Sequence, residues 1–298
     1  MPRTIGIWAA EHIAAGLVED ERLVGPLWRY PQEPEDRNGL QGMPAESIVR
    51  RICEEIHLAR QGELVEAVGV GFPGIILGGI VEESPNLQQV KGFHLQAALS
   101  STLSEAGVPA PVLVMNDADA MAAGVAATQG HLEKFIRVWT LGDGIGFGRH
   151  PRQEGVWEGG HSVVSLDLRE QYCGCGGMGH LEGIMGSRAM RRRFLDLEPD
   201  EVFENAKAGD ARCADFVRLW HGALAAATAT SIHMDGGGRF FLGGPNARYL
   251  DIALLNRYVH EMVKMSPLQD YVFEVFSSSD EIGVIGAAVT ARRHISTG

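Results

Sequence analysis

Cysteine is scarce in this chain, four residues in 298, which excludes a scaffold stapled by disulfides. No apolar run approaches the length that crosses a bilayer, so a soluble globular protein is expected and no membrane partner. Positive charge is also short. Lys and Arg number 26 against 38 Asp and Glu, for a net charge of -12 and a pI near 5.4. That balance is wrong for a protein that wraps nucleic acid. The opening MPRTIGIWAA lacks the charged, apolar and cleavage zones of a signal peptide, so the cytoplasm is the expected compartment. What is present is a globular composition, 45% hydrophobic and 21% charged, over a length that exceeds one small core and suits two lobes. The one basic cluster, SRAMRRRF, sets Arg188, Arg191, Arg192 and Arg193 at helical spacing and reads as a solvated helix face.

Short apolar runs alternate with helical patterns. RTIGIWAA, GLVED, EAVGVGFPGII and PVLVMND read as strands, and AESIVRRICEEIHLARQ as an amphipathic helix. The second half repeats the plan: FIRVWTLGDGIGFG is strand, glycine turn and strand, and FLGGPNARYLDIALLNRYVHEMV is strand, glycine turn and long helix. EIGVIGAAVTARRH has the small apolar alternation of a closing helix, expected to return to the first lobe. The fold class is therefore α/β, with one long turn-rich loop, YPQEPEDRNGLQGMP.

Two of the four cysteines stand one residue apart in YCGCGGMGHLEG. A bridge between Cys173 and Cys175 is disfavoured at that spacing. Metal ligation explains them better. His161 is followed by eleven residues, Cys173, one residue, Cys175, four residues and His180. Four such ligands suit a tetrahedral zinc with every position filled by protein, a structural site. The glycines between them supply the tight turns a knuckle needs. The competing reading is a pair of free thiols beside unrelated histidines. Cys53 and Cys213 lie in helical patterns without partners and read as core residues.

Read together, Glu158, His161, Cys173, Cys175 and Glu182 resemble the zinc signature of the ROK family of sugar kinases and repressors, Glu-x-x-His followed by Cys-x-Cys-Gly-x-x-Gly-Cys-x-Glu. His180 stands where that family has its third cysteine, and imidazole also binds zinc. VGVGFPGII, SPNL, MNDADAMAAG, TLGDGIGFG and FLGGPNA are similar to further family landmarks and follow in the family's order. The family's repressors carry a DNA-binding segment before the first strand, and no such segment stands here, which argues against a transcription factor.

The resemblance implies an actin-like, ribonuclease-H-like fold of two α/β lobes. The expected division is 1–115 plus 281–298 for the first lobe and 116–280 for the second, with the sugar between them and a hinge closing over it. It implies transfer of a phosphoryl group from ATP to a hexose hydroxyl, with Asp117 taking the hydroxyl proton. The bland reading of Asp117 is a helix N-cap. Asn86, Asn116, Asp117, Glu158, His161 and Glu182 would bind the sugar or sugar phosphate, the zinc fixing the loop that carries the last three. Family members are often dimeric, so a homodimer is expected.

The nucleotide side departs from the pattern. After the first strand the family has Asp-x-Gly-Gly-Thr for Mg²⁺ and phosphate, where this chain reads Trp8, Ala9, Ala10, Glu11, His12. Where its phosphate loop is Gly-Thr-Gly this chain has Gly142, Asp143, Gly144, and Gly243 and Gly244 stand where the family has its adenosine-side turn. At ~5 Å and an effective dielectric of about 20, each carboxylate facing a phosphate costs about 3 kcal/mol unless a cation lies between them. Three readings follow: a kinase in which Asp143 or Glu11 holds Mg²⁺; an enzyme acting on the sugar without ATP, with Glu11, His12 or Asp143 as extra acid-base groups; and a sugar sensor or pseudokinase. The plain alternatives are Trp8 as core filler, Glu11 in solvent, and His12 and His233 as ordinary loop histidines.

Overall fold

The structure, a computed structural model, describes residues 3–10, 12–32, 39–153, 155–264 and 268–297. The first elements are β1 (Arg3–Ala9), β2 (Ile13–Glu19), β3 (Arg22–Tyr30), α1 (Ala45–Arg60), β4 (Ala67–Phe72), β5 (Ile75–Leu77) and β6 (Ile80–Glu83). Next come α2 (Leu95–Glu105), β7 (Val112–Asn116), α3 (Asp117–Thr128), β8 (Ile136–Leu141) and β9 (Ile145–His150). The rest are α4 (Leu181–Met185), α5 (Ser187–Arg193), α6 (Pro199–Lys207), α7 (Ala211–Asp235), β10 (Gly238–Gly243), α8 (Ile252–Met262), β11 (Tyr271–Val275) and α9 (Asp280–Thr297).

The chain divides into two compact units: residues 1–136, 148–156 and 278–298, and residues 137–147 and 157–277. The division follows packing, not the change of motif at Asn116. Helix α3 lies against α9 and β4, so 116–136 belong with the first unit, where the motif order had put the second lobe.

In the first unit a five-stranded sheet runs β3-β2-β1-β4-β7. Strands β1, β4 and β7 are parallel, and β2 and β3 extend the sheet antiparallel. Every residue of β4 is buried, as a central parallel strand covered on both faces requires. Helix α1 buries Ile48, Val49, Ile52 and Ile56 from one stripe. The strand β3 was not anticipated, because Gly25 and Pro26 interrupt its apolar pattern. EAVGVGFPGII is two strands, broken at Gly74, whose φ of +107° turns the chain. Part of the YPQEPEDRNGLQGMP loop, residues 33–38, lies outside the described residues.

Helix α9 seats on this sheet and on α3 with no room for side chains. A Cβ on Gly6 would lie 1.9 Å from the Val284 carbonyl oxygen, one on Gly69 1.9 Å from that of Ala287, and one on Gly286 1.8 Å from that of Ala120. Backbone contact of this kind explains Gly6 in β1 and Gly69 in β4.

In the second unit the sheet order is β11-β10-β8-β9. Its core gathers Trp139, Leu141, Ile184, Trp220, Leu224, Phe240 and Leu242. The long α7 is capped by Asp210, whose side chain accepts from the Cys213 amide. His233 lies in its last turn and is exposed, not in a loop as the sequence suggested. Cys53 and Cys213 are buried core residues without disulfide partners. Among the described residues no helix is long and apolar enough to cross a membrane.

Candidate active site and metal centre

In the first unit, β7 delivers Asn116 and Asp117 to the end of the sheet where the parallel strands finish. Asn116 is the N-cap of α3: its Oδ1 accepts from the Ala118 amide at 2.9 Å, and its Nδ2 donates to the Gly74 carbonyl at 2.8 Å. That leaves one N–H and one lone pair for another partner. Asp117 is therefore not the cap but the first helical residue, with one carboxylate oxygen 3.0 Å from the Ala118 amide. Burial pushes its proton affinity up, against that amide hydrogen bond. Two residues on, burial pushes Asp119 up to about 6; the Arg149 amide, Arg152 and Arg149 oppose the shift, and Asp117 adds to it. Asn86 is exposed in the turn after β6.

The turn between β1 and β2 is closed by the Ala10 amide donating to the His12 carbonyl at 3.1 Å. Glu11 lies outside the described residues. His12 is not an idle turn residue, since its Nε2 is 3.0 Å from Asp280 Oδ2, an oxygen that also accepts from Arg29 Nε at 2.7 Å. Burial opposes the ionised Asp280 carboxyl, yet His12 and Arg29 together hold it below the usual range. Trp8 packs edge-on to His12, with ring centroids 6.0 Å apart. A Cβ on Gly71 would lie 3.3 Å from the Trp8 ring and 3.6 Å from the Asp117 Cα, so Trp8 and Asp117 flank that glycine.

In the second unit the predicted ligands converge. The donor atoms of His161, Cys173, Cys175 and His180 all lie within 4.8 Å of one another. The two sulfurs are 3.3 Å apart, the two Nδ1 atoms 3.2 Å, and Cys175 Sγ is 3.2 Å from His180 Nδ1. A tetrahedron with metal–sulfur distances of about 2.3 Å and metal–nitrogen distances of about 2.0 Å has edges near these values. Burial pushes the Cys173 thiol up to about 12, so a bound cation is what would ionise it. Burial also lowers His180, which favours the neutral, ligating imidazole. The residues fit zinc. Gly179, at φ +68°, turns the chain so that its carbonyl accepts from Val164, and a Cβ on Gly177 would strike the His180 ring at 2.0 Å.

Glu158 and Glu182 adjoin this cluster. Glu158 Oε2 is 3.8 Å from His161 Nε2, on the side of the ring away from the other ligands. Glu182, in the first turn of α4, accepts from the Ile145 amide at 3.0 Å and stands 3.7 Å from Cys173 Sγ. It thus joins the knuckle to the Gly142–Gly144 loop. The loop is held further by Asn246, which is buried. Asn246 Nδ2 donates to the Gly142 carbonyl at 2.9 Å and pairs with Ser187 Oγ. Gly244, at φ +91°, lets its chain pass against the Leu141 backbone. Asp143 is not an uncompensated charge: Arg191 reaches it at 3.4 Å. The arginines of SRAMRRRF are thus more than a solvated face, for Arg192 also donates to the Tyr172 carbonyl and Arg193 pairs with Glu170.

Comparison with known proteins gives this arrangement its context. Residues 35–294 match the model of the ROK family. The chain belongs to the ROK family. Among similar proteins, a glucokinase of Pyrobaculum calidifontis is 31% identical over 180 residues, an overlap of 55% of this chain and 58% of that protein. A glucokinase of Thermotoga maritima is 28% identical over 284 residues, covering 84% of this chain and 86% of the relative. A solved ROK glucokinase from Streptomyces griseus, in complex with glucose and AMPPNP, superposes with a TM-score of 0.69 at 25% identity, covering 98% of this chain and 99% of that one. The fold is the actin-like α/β fold of the ROK sugar kinases.

Sequence reasoning missed Asp119, Asp280, Ser187, Asn246 and Arg191. Asp119 and Asn246 stand inside stretches of ROK resemblance, MNDADAMAAG and FLGGPNA, and were open to notice. Asp280 and Arg191 meet their partners only through tertiary contact, and no local signal marks them.

Proposed function

We propose that this chain is a hexose kinase that transfers the γ-phosphoryl group of Mg-ATP to a glucose hydroxyl. The observation that carries the reading is Asp117: a carboxylate at the end of β7, in the first helical position after the Asn116 cap, with one oxygen on the Ala118 amide and its proton affinity raised by burial. A base in that state takes a proton from an attacking hydroxyl more readily than an ordinary surface aspartate. Asn86, Asn116, Glu158, His161 and Glu182 are the hydrogen-bonding groups for the sugar. His161 would ligate zinc through Nδ1 and keep Nε2–H toward Glu158. Zinc would hold the knuckle rigid, so that Glu158, His161 and Glu182 are fixed before sugar arrives. The relatives' names support glucose as acceptor, and the AMPPNP complex supports a nucleotide donor. We also assign the protein to the cytoplasm, as a homodimer.

The test is formation of sugar phosphate from Mg-ATP and glucose. Asp117→Asn is expected to lower kcat by about 100-fold or more while glucose still binds, because general-base assistance is typically worth 10²–10⁴. Full activity in that variant would remove Asp117 from the mechanism. One observation favours a second reading, sugar chemistry or sensing without ATP: the β1–β2 turn holds His12 against Asp280 where the family pattern has a phosphate loop. Glucose binding without any binding of Mg-AMPPNP in calorimetry would decide for it.

A further inference from the structure

We infer that Arg191 is a phosphate-binding residue, held in reserve by Asp143 until a divalent cation arrives with the phosphoryl donor. The inference rests on the kinase reading above and names the donor grip within the second unit. It begins with the backbone of the Gly142–Gly144 loop. The Gly142 amide donates to the Gly144 carbonyl, the Gly142 carbonyl accepts from Asn246 and Ser187, and the Ile145 amide donates to Glu182. The amides of Asp143 and Gly144 donate to no described residue. Both residues are exposed at the tip of this braced turn, where an anion can reach them.

Arg191 reaches the same loop from α5. Its Nη1 is 3.4 Å from Asp143 Oδ1, while its Nε donates to Glu198 at 2.8 Å. Both side chains of the Asp143–Arg191 pair are 50% exposed. A long contact between half-solvated ions is a weak one and exchanges easily. A phosphate offers the guanidinium a bidentate partner with more charge than one carboxylate. Asp143 would then be left facing the phosphate, which is unfavourable unless a cation separates them. Magnesium carried by the phosphates takes a carboxylate as a hard oxygen ligand. The exchange is therefore concerted in its charges: Asp143 passes from Arg191 to Mg²⁺, and Arg191 passes from Asp143 to phosphate. A neutral residue at position 143 would impose no such condition. This also gives the chain a carboxylate for the cation although the Asp-x-Gly-Gly-Thr aspartate is missing.

The experiment is calorimetric titration of AMPPNP, with and without Mg²⁺, and of magnesium tripolyphosphate, into the full zinc-loaded chain. Wild type, Arg191→Ala, Arg191→Lys and Asp143→Asn are compared, with glucose affinity as the control for folding and sugar phosphate formation measured in parallel. Arg191→Ala is expected to weaken both magnesium complexes by about 10- to 100-fold with glucose affinity unchanged, and Arg191→Lys to restore part of the loss. Asp143→Asn is expected to bind metal-free AMPPNP more tightly than wild type and to lose the dependence on Mg²⁺. Arg191→Ala binding the donor within about twofold of wild type, in an enzyme that still makes sugar phosphate, would overturn the grip and leave the kinase standing. Arg191-dependent binding of tripolyphosphate without any sugar phosphate would do the reverse. A wild type that binds neither donor and makes no product would overturn both.

Discussion

Asp117 and Asp119 lie in the first turn of α3 and are pushed in the same direction for the same reason. Carboxylates are welcome at a helix N-terminus, but burial outweighs that welcome in both. Asp119 gives a pH dependence with a definite sign. Its folded value of about 6 lies above the ordinary aspartate value of 3.8, so the native state holds the proton that the unfolded chain releases. Stability from this group is present at low pH and is lost as pH rises from about 4 to about 6, by at most about 3 kcal/mol. Asp119→Asn keeps an oxygen for the Arg149 amide and removes the titration. Urea denaturation at pH 4 and pH 7 should show the variant gaining on the parent as pH rises; a constant difference would mean that folding does not shift the Asp119 carboxyl. The Asn-Asp pair itself was legible from the sequence. That Asn116 takes the cap and Asp117 the first helical position was not, since either residue type caps well.

Helices and strands were legible where their apolar period was uninterrupted, as in α1 and β4, and illegible where packing set the pattern. Helix α7 showed only as a helical pattern around Cys213, and its full length was not legible because its long alanine-rich face buries small residues on several sides and shows no single stripe. Gly6, Gly69 and Gly286, which carried no signal of their own in the sequence, prove to be contact points between backbones. Gly286→Ala is expected to destabilise the first unit by about 1–3 kcal/mol, because its Cβ would meet the Ala120 carbonyl and neither helix can yield freely. Gly222, in the middle of α7, meets nothing within 4 Å. Gly222→Ala should instead stabilise by about 0.5–1 kcal/mol through helix propensity. A Gly286→Ala variant that melts no lower than the parent would contradict this account of α9.

At the scale of the molecule, the four-ligand cluster belongs wholly to one unit. Zinc binding there adds stability according to its affinity and concentration, so chelation should lower the melting of the second unit and leave the first unit's transition in place. Elemental analysis is expected to find one zinc per chain in the wild type. Cys175→Ser is expected to lose that zinc and weaken glucose binding together. Glucose affinity that survives in zinc-free protein would separate the metal from the sugar groups. His180 in place of a cysteine makes the bound site neutral, two thiolates balancing one Zn²⁺, and the donor distances accommodate that exchange.

The sequence by itself determined the α/β class, the family and the His/Cys cluster that could hold a metal, because these rest on motifs in which residue type and spacing are local. His161, Cys173, Cys175 and His180 needed only a short knuckle to meet. The tertiary structure alone decided which charges stand together. Asp280 comes to His12 and Arg29 from the far end of the chain, and Arg191 crosses to Asp143. A charge's effect depends on distance and burial, and neither is set until the elements have packed.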